Sequence, residues 1–153
     1  MITNSKTFTT TGTNAVPIFH VTGSVEIRGL WGVVTTTLGN HTAAAWRLND
    51  QTAQVDITAV GGTSLTGIAA GSTISKKGLA AAALTKLDNV AGVVSEPTTL
   101  ETTYFSPFVA VKKTAATTDI EYVYTTSDNP TTGVIEFFIR FIPLSADGTL
   151  TAV

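Results

Sequence analysis

The sequence predicts an all-β, single-domain fold, an antiparallel sandwich or barrel of jelly-roll-like type. Three observations lead there. Runs rich in Val, Ile, Thr, Phe, Tyr and Trp alternate apolar with polar residues, which places every second side chain on one face of a strand. Roughly eight such runs recur about every ten residues, separated by Gly, Asn, Asp and Pro, the spacing of short strands joined by turns. Finally, 43% of the 153 residues are hydrophobic and only 13% charged, so the chain has ample material for a core and a surface made mostly of hydroxyls and amides.

Residues 1–14 are polar apart from Met1, Ile2, Phe8 and Gly12. They read as an extended N-terminal arm, frayed or laid on a neighbouring subunit, because so little apolar area cannot pack alone. Residues 15–153 form the β domain. The run 15–21 is a strand in which Pro17 suits an edge or a bulge, and Thr22-Gly23-Ser24 turns the chain. From Val25 onward Val25, Ile27, Gly29, Trp31 and Val33 are expected on one face, and Glu26, Arg28, Leu30, Gly32 and Val34 on the other. Gly29 and Gly32, flanking Leu30-Trp31, signal a bulge or a close backbone approach. Gly39-Asn40 ends this run. Strands at 43–48 and 55–60 follow, with Asn49-Asp50 turning between them and Gly61-Gly62 closing the second.

The middle of the chain is less regular. Residues 65–74 read as short strands and turns. Over 79–87 Leu79, Ala83 and Leu87 stand at i+4 spacing, which predicts one short helix, with an Ala-rich buried strand as the alternative. Residues 93–103, with Pro97, read as a loop or long crossover, and 104–113 as a strand carrying Phe105, Phe108, Val109 and Val111. The alternation at 120–126 is strong, and Ser127-Asp128-Asn129-Pro130 is a turn. In the run 134–142 both faces carry large apolar groups, so this strand is expected to be central and buried on both sides; 144–153 is a short tail.

Charge narrows the function classes. With a net charge of −2 and only Lys76-Lys77 and Lys112-Lys113 adjacent, there is no concentrated positive face for nucleic acid. The two Lys pairs read as solvated loops or strand ends. No run approaches the ~20 apolar residues of a membrane span, and Met1–Lys6 lacks the apolar core of a signal peptide, so synthesis in a cytoplasm without a membrane anchor is expected. Cysteine is absent, and His20 and His41 have no second ligand at metal spacing, so neither a metal nor a cofactor is expected. There is no Gly-x-Ser-x-Gly elbow, and the Gly-rich stretches lack the Gly-Lys-Ser/Thr of a phosphate loop. Most of the aspartates stand in turn-like contexts, where Asp caps backbone donors. Glu26 with Arg28, and Glu136 with Arg140, read as ion pairs. Binding, not catalysis, is the expectation. The aromatic residues fall in strands and read as core, although Tyr122 and Tyr124 share a face and are the one hint of a glycan platform.

Two segments carry a resemblance. The opening Thr7-Phe8-Thr9, followed by His20-Val21-Thr22-Gly23-Ser24-Val25-Glu26-Ile27-Arg28-Gly29-Leu30-Trp31-Gly32-Val33-Val34-Thr35-Thr36, and the closing Phe137-Phe138-Ile139-Arg140-Phe141-Ile142-Pro143-Leu144 resemble small virion proteins of tailed bacteriophages. The middle matches only in composition. The resemblance implies a capsid decoration (cement) protein on the virion surface, made in the host bacterial cytoplasm, with the major capsid protein as partner and a homo-oligomer, a trimer on a local three-fold, as its form. It brings no catalytic residues. Within the arm, Ile2, Phe8, Thr10 and Asn14 are the expected capsid or subunit contacts. The alternatives are a tail, fibre or spike module binding host glycan, with Tyr122 and Tyr124 lining a groove, and a small hydrolase on a β scaffold, with clustered Asp, Glu or His.

Overall fold

The computed structural model describes residues 1–90, 93–94, 105–113, 117–126 and 133–153. Among them there is no helix. Thirteen strands run in chain order: β1 (Ile2–Phe8), β2 (Gly12–Thr22), β3 (Ser24–Thr36), β4 (Thr42–Asn49), β5 (Gln54–Asp56), β6 (Thr73–Ser75), β7 (Thr85–Leu87), β8 (Asn89–Val90), β9 (Val93–Val94), β10 (Phe108–Val111), β11 (Thr118–Thr126), β12 (Gly133–Pro143) and β13 (Thr149–Ala152). Sheet A has the order β1-β12-β3-β6-β7, with β10 on the first part of β3; sheet B has the order β13-β2-β11-β4-β5. All of these pairings are antiparallel, and β8 pairs β9 separately. The chain passes repeatedly from one sheet to the other, so β12 lies between β1 and β3 while β11 lies between β2 and β4. That interleaving is the strand order of a jelly roll.

Residues 1–14 are not an arm. β1 pairs with β12 along its whole length, from Ile2 opposite Ile139 to Phe8 opposite Gly133, and Phe8 is buried in the core. The physical reason is that β12 would otherwise expose an unpaired edge, and alternate β1 residues meet the core beneath it. Residues 79–87 are not a helix either. Gly78 takes φ +71, the Ala82 N–H donates to the Leu79 carbonyl at 2.9 Å, and the chain then enters β7 beside β6. The expected apolar stripe has nothing to pack on: Leu79 is exposed, whereas Leu84, off the stripe, is buried. Nor is the segment an Ala-rich buried strand: only Thr85–Leu87 is a strand, its Lys86 is exposed, and Ala80, Ala81 and Ala83 face solvent. Within the supposed tail, β13 pairs β2 and buries Leu150. Of the loop or crossover expected at 93–103, Val93–Val94 is instead strand β9, and the rest, like the turn at 127–130, lies outside the described residues.

β3 contains a bulge, but it reverses the facing expected for half the strand. Phe141 opposes Ile27 and Arg140 opposes Gly29, so Arg28 is the extra residue. Before it Val25 and Ile27 point into the core; after it Leu30 and Val34 do, and Trp31 and Val33 turn outward. Gly32 is the expected close approach, since a Cβ there would lie 2.7 Å from Ile135 Cγ2 and 3.1 Å from Ile74 Cγ1. Pro17 is likewise accommodated at a bulge, where β2 slips against β11 and has passed the end of β13. β12 is central but not buried on both sides: Ile135, Phe137 and Ile139 are in the core, whereas Val134, Glu136 and Phe138 are half-buried and Arg140 is exposed.

Between the sheets lies a cluster of rings. His41 stacks on Tyr124 at 4.3 Å and 8° and meets Phe8 edge-on at 5.2 Å; Tyr122 packs on Phe137 at 5.2 Å and near Trp46 at 6.4 Å. His41 is held by its backbone, whose N–H donates to Thr66 Oγ1 at 3.1 Å and whose carbonyl accepts from Leu65 at 2.7 Å. Burial pulls its imidazole from 6.5 down to about 4. A base with a depressed folded-state pKa binds fewer protons folded than unfolded, so stability falls as pH drops through the unfolded value near 6.5 and levels off below about 4. The loss from this group is about 3 kcal/mol. Urea denaturation at pH 7 and pH 4 measures it, and His41→Phe is expected to remove this part of the acid sensitivity.

Candidate functional site

The four residues expected to touch a partner do not form a surface. Ile2 is half-buried against the core and Phe8 is inside it, so Phe8 cannot reach a partner. Thr10 is exposed, but its carbonyl accepts from the Thr126 hydroxyl and the Asn14 amide, each at 3.1 Å. The Asn14 amide also donates to Thr11 and Gly12, closing the turn between β1 and β2. Tyr122 and Tyr124 both point into the core, and burial raises both phenols. They offer no glycan platform.

The outer face of sheet A is built by the β3 bulge. Trp31 and Phe138 oppose each other on β3 and β12, their rings stacked at 5.4 Å and 4°. Arg140 places its guanidinium 5.7 Å from the Trp31 ring. Thr3 extends the row beyond Phe138 and Ser75 beyond Trp31; Ser5, Glu136, Val33 and Thr73 form the next row. Below the bulge, Ile142, Glu26 and Val109 lie side by side across β12, β3 and β10, and both aliphatic side chains are exposed. Glu26 accepts from Arg28 at 2.9 Å, the pair expected from the sequence. Glu136 and Arg140 share a face but stand four strand residues apart, about 13 Å, and Arg140 is drawn to Trp31 instead.

On the outer face of sheet B, β11 presents Asp119 and Glu121, both nearly buried. His20 Nδ1–H donates to Asp119, which holds the imidazole from β2. Glu121 accepts from Arg47 Nε at 2.7 Å and Asn49 Nδ2 at 2.9 Å, and Arg47 Nη1 donates onward to Gln54 at 2.8 Å. A histidine oriented by a carboxylate has the form of a general base. Among the described residues, though, no three His, Asp or Glu side chains converge as metal ligands, and the network is closed within the sheet.

The two flanks of the sandwich differ. On one, Asn4 Nδ2 of β1 donates to Ile18 at 2.7 Å and Val153 at 2.9 Å, and Lys6 Nζ donates to the same Val153 oxygen, fastening sheet A to sheet B. On the other, β5 and β10 stand apart around a cavity of about 320 Å³, with Lys76 at its floor. Beside it Asp50 caps its own turn, accepting from the Thr52 and Ala53 N–H groups, and pairs with Lys113 at 2.6 Å; these contacts hold its carboxyl well below the usual range. That capping role is the one the sequence indicates for its aspartates. Lys76, by contrast, is buried and not a solvated loop cation. Its neighbour Lys77 is what made the pair look like surface. The sheet B network could have been found from Asp119 and Glu121 alone, two acids at i and i+2 of a strong strand and therefore on one face.

Comparison with protein-family models, curated proteins and solved structures returns no match.

Arg47→Ala is expected to destabilise the fold by about 3 kcal/mol, because it leaves the Glu121 carboxylate buried without its cation. Urea unfolding measures the loss, and adding Glu121→Gln to the same chain is expected to restore part of it.

Proposed function

We propose that this chain is a structural protein of a tailed-bacteriophage virion, a decoration protein that binds the capsid shell through the outer face of sheet A. The carrying observation is the Trp31–Phe138 stack with Arg140 against it, set on that outer face among Ser and Thr. Trp, Phe and Arg are the types in which interface centres are enriched, while the surrounding hydroxyls suit a rim that excludes water without strong charge. Glu26, Arg28, Glu136 and Arg140 mix both signs on the face, which limits repulsion between neighbouring copies.

The resemblance of 7–36 and 137–144 to small phage virion proteins supports the same reading, and both segments contribute to this face. The major capsid protein is then the partner, the virion surface the location and the host bacterial cytoplasm the place of synthesis. A homotrimer on a local three-fold would multiply modest contacts by avidity. The contact role passes from residues 1–14, which the fold uses, to Trp31, Phe138 and Arg140. Work of this kind is binding, not catalysis.

Light scattering and co-sedimentation with the phage's own capsids test the proposal. Wild type is expected to be a trimer that co-sediments with shells. A Trp31→Ser/Phe138→Ser variant is expected to keep the trimer mass and a cooperative unfolding transition, its midpoint somewhat lowered by the lost ring pair, while losing about thirtyfold in shell affinity, the scale of a binding hot spot. A protein that ignores capsids but is retained on a glycan array would overturn the decoration reading in favour of a tail or spike module.

A further inference from the structure

We infer that the cavity between β5 and β10 is a binding site for a small amphiphilic monocarboxylate, its head on Lys76 and its hydrocarbon body between the two strands. The inference does not depend on the shell contact. The cavity, about 320 Å³, lies at the small end of ligand-sized pockets. Its walls are apolar: Leu48, Val55, Ile57, Leu79, Phe108 and Val109. Val55 is 60% exposed and Leu79 72%, so hydrocarbon faces water at the mouth, where an apolar ligand would cover it.

The floor supplies the specificity. Lys76 is only 4% exposed. Its ammonium donates to the Gly78 carbonyl at 2.6 Å and the Ser106 carbonyl at 3.4 Å, and lies 5.1 Å and 5.7 Å from the ring centres of Phe105 and Phe108. Carbonyl dipoles and ring faces stabilise an ammonium but do not neutralise it. Among the described residues no carboxylate comes within ion-pair distance of Lys76. A buried cation without a counter-ion is costly, and burial accordingly lowers the amine's pKa. Two of the three ammonium protons are used by the carbonyls, which leaves one for a ligand. A bound anion supplies the missing charge. Asp56, which is exposed, also lines the cavity, and its negative charge repels a dianion such as a phosphate monoester more strongly than a single carboxylate.

Titration with octanoate and with octanol, followed by calorimetry and by the NMR signals of the Lys76 side chain, tests this. Octanoate is expected to bind saturably and at least tenfold more tightly than octanol, and to shift the Lys76 side-chain signals where octanol does not. Lys76→Met is expected to abolish the preference, leaving both ligands at the octanol level, and Leu79→Trp, a change at an exposed position, to exclude both. Equal affinities for octanoate and octanol, an unmoved Lys76 signal at octanoate saturation, or a preference that survives in Lys76→Met would each overturn the inference. The wild-type NMR arm decides the matter even if Lys76→Met does not fold.

Discussion

The rings of Phe8, His41, Trp46, Tyr122, Tyr124 and Phe137 bring together four separate segments of the chain, and the remaining architecture is arranged around them. Tyr122 and Tyr124 reach in from β11, the middle strand of sheet B, and Phe137 from β12, an interior strand of sheet A. Phe8 lies against His41, both tyrosines and Phe137, so it fixes the end of β1 while β1 completes the pairing of β12. Because offset and edge-on rings have preferred geometries, the cluster sets the relative position of the sheets as well as burying area. With the two inner faces locked in this way, the identity of each outer face follows from strand alternation and from the bulges that shift its phase.

Alternation is also why a single residue, Arg28, connects the fold to the proposed contact face. Had β3 run without its bulge, Trp31 would share a face with Val25 and Ile27 and belong to the core. The extra residue shifts the phase, and Leu30 takes the inward place. Trp31 then meets Phe138 outside the sandwich. The surface aromatic pair is thus a product of backbone geometry as much as of residue type.

This bears on what could be read from the sequence. β11 was legible because its alternation is strong, and β12 because its run of β-branched and aromatic residues is long and unbroken, although apolar groups on both its faces hid which side is buried. The all-β class followed from repeated runs of these kinds. The bulge was signalled by Gly29, but not which residue would be extra, so the faces of 29–33 were inverted. β1 escaped because its partner is more than a hundred residues away: a short polar-rich strand becomes stable only through an edge that local pattern does not reveal. Residues 79–87 have helix spacing but no surface for that helix to cover, and spacing alone does not show this. The sites were less visible than the fold for a related reason. Trp31 and Phe138 read as core because periodicity defines two faces without saying which is outside, and Lys76 read as solvated because nothing local marks its position beneath Phe105 and Phe108.

The placement of β11 and β12 affects how the protein is made. Each is an interior strand of its sheet, yet both come from the last quarter of the chain, at 118–126 and 133–143. During synthesis, β1 and β2 leave the ribosome without the neighbours that will later cover their edges, and neither sheet can close until β11 and β12 have emerged. Consolidation is therefore a late event with long loops to close, a topology associated with slow folding. Over that interval the stretch before Ala15, whose large apolar side chains are Met1, Ile2 and Phe8, offers little hydrophobic surface for the premature association that leads to aggregates.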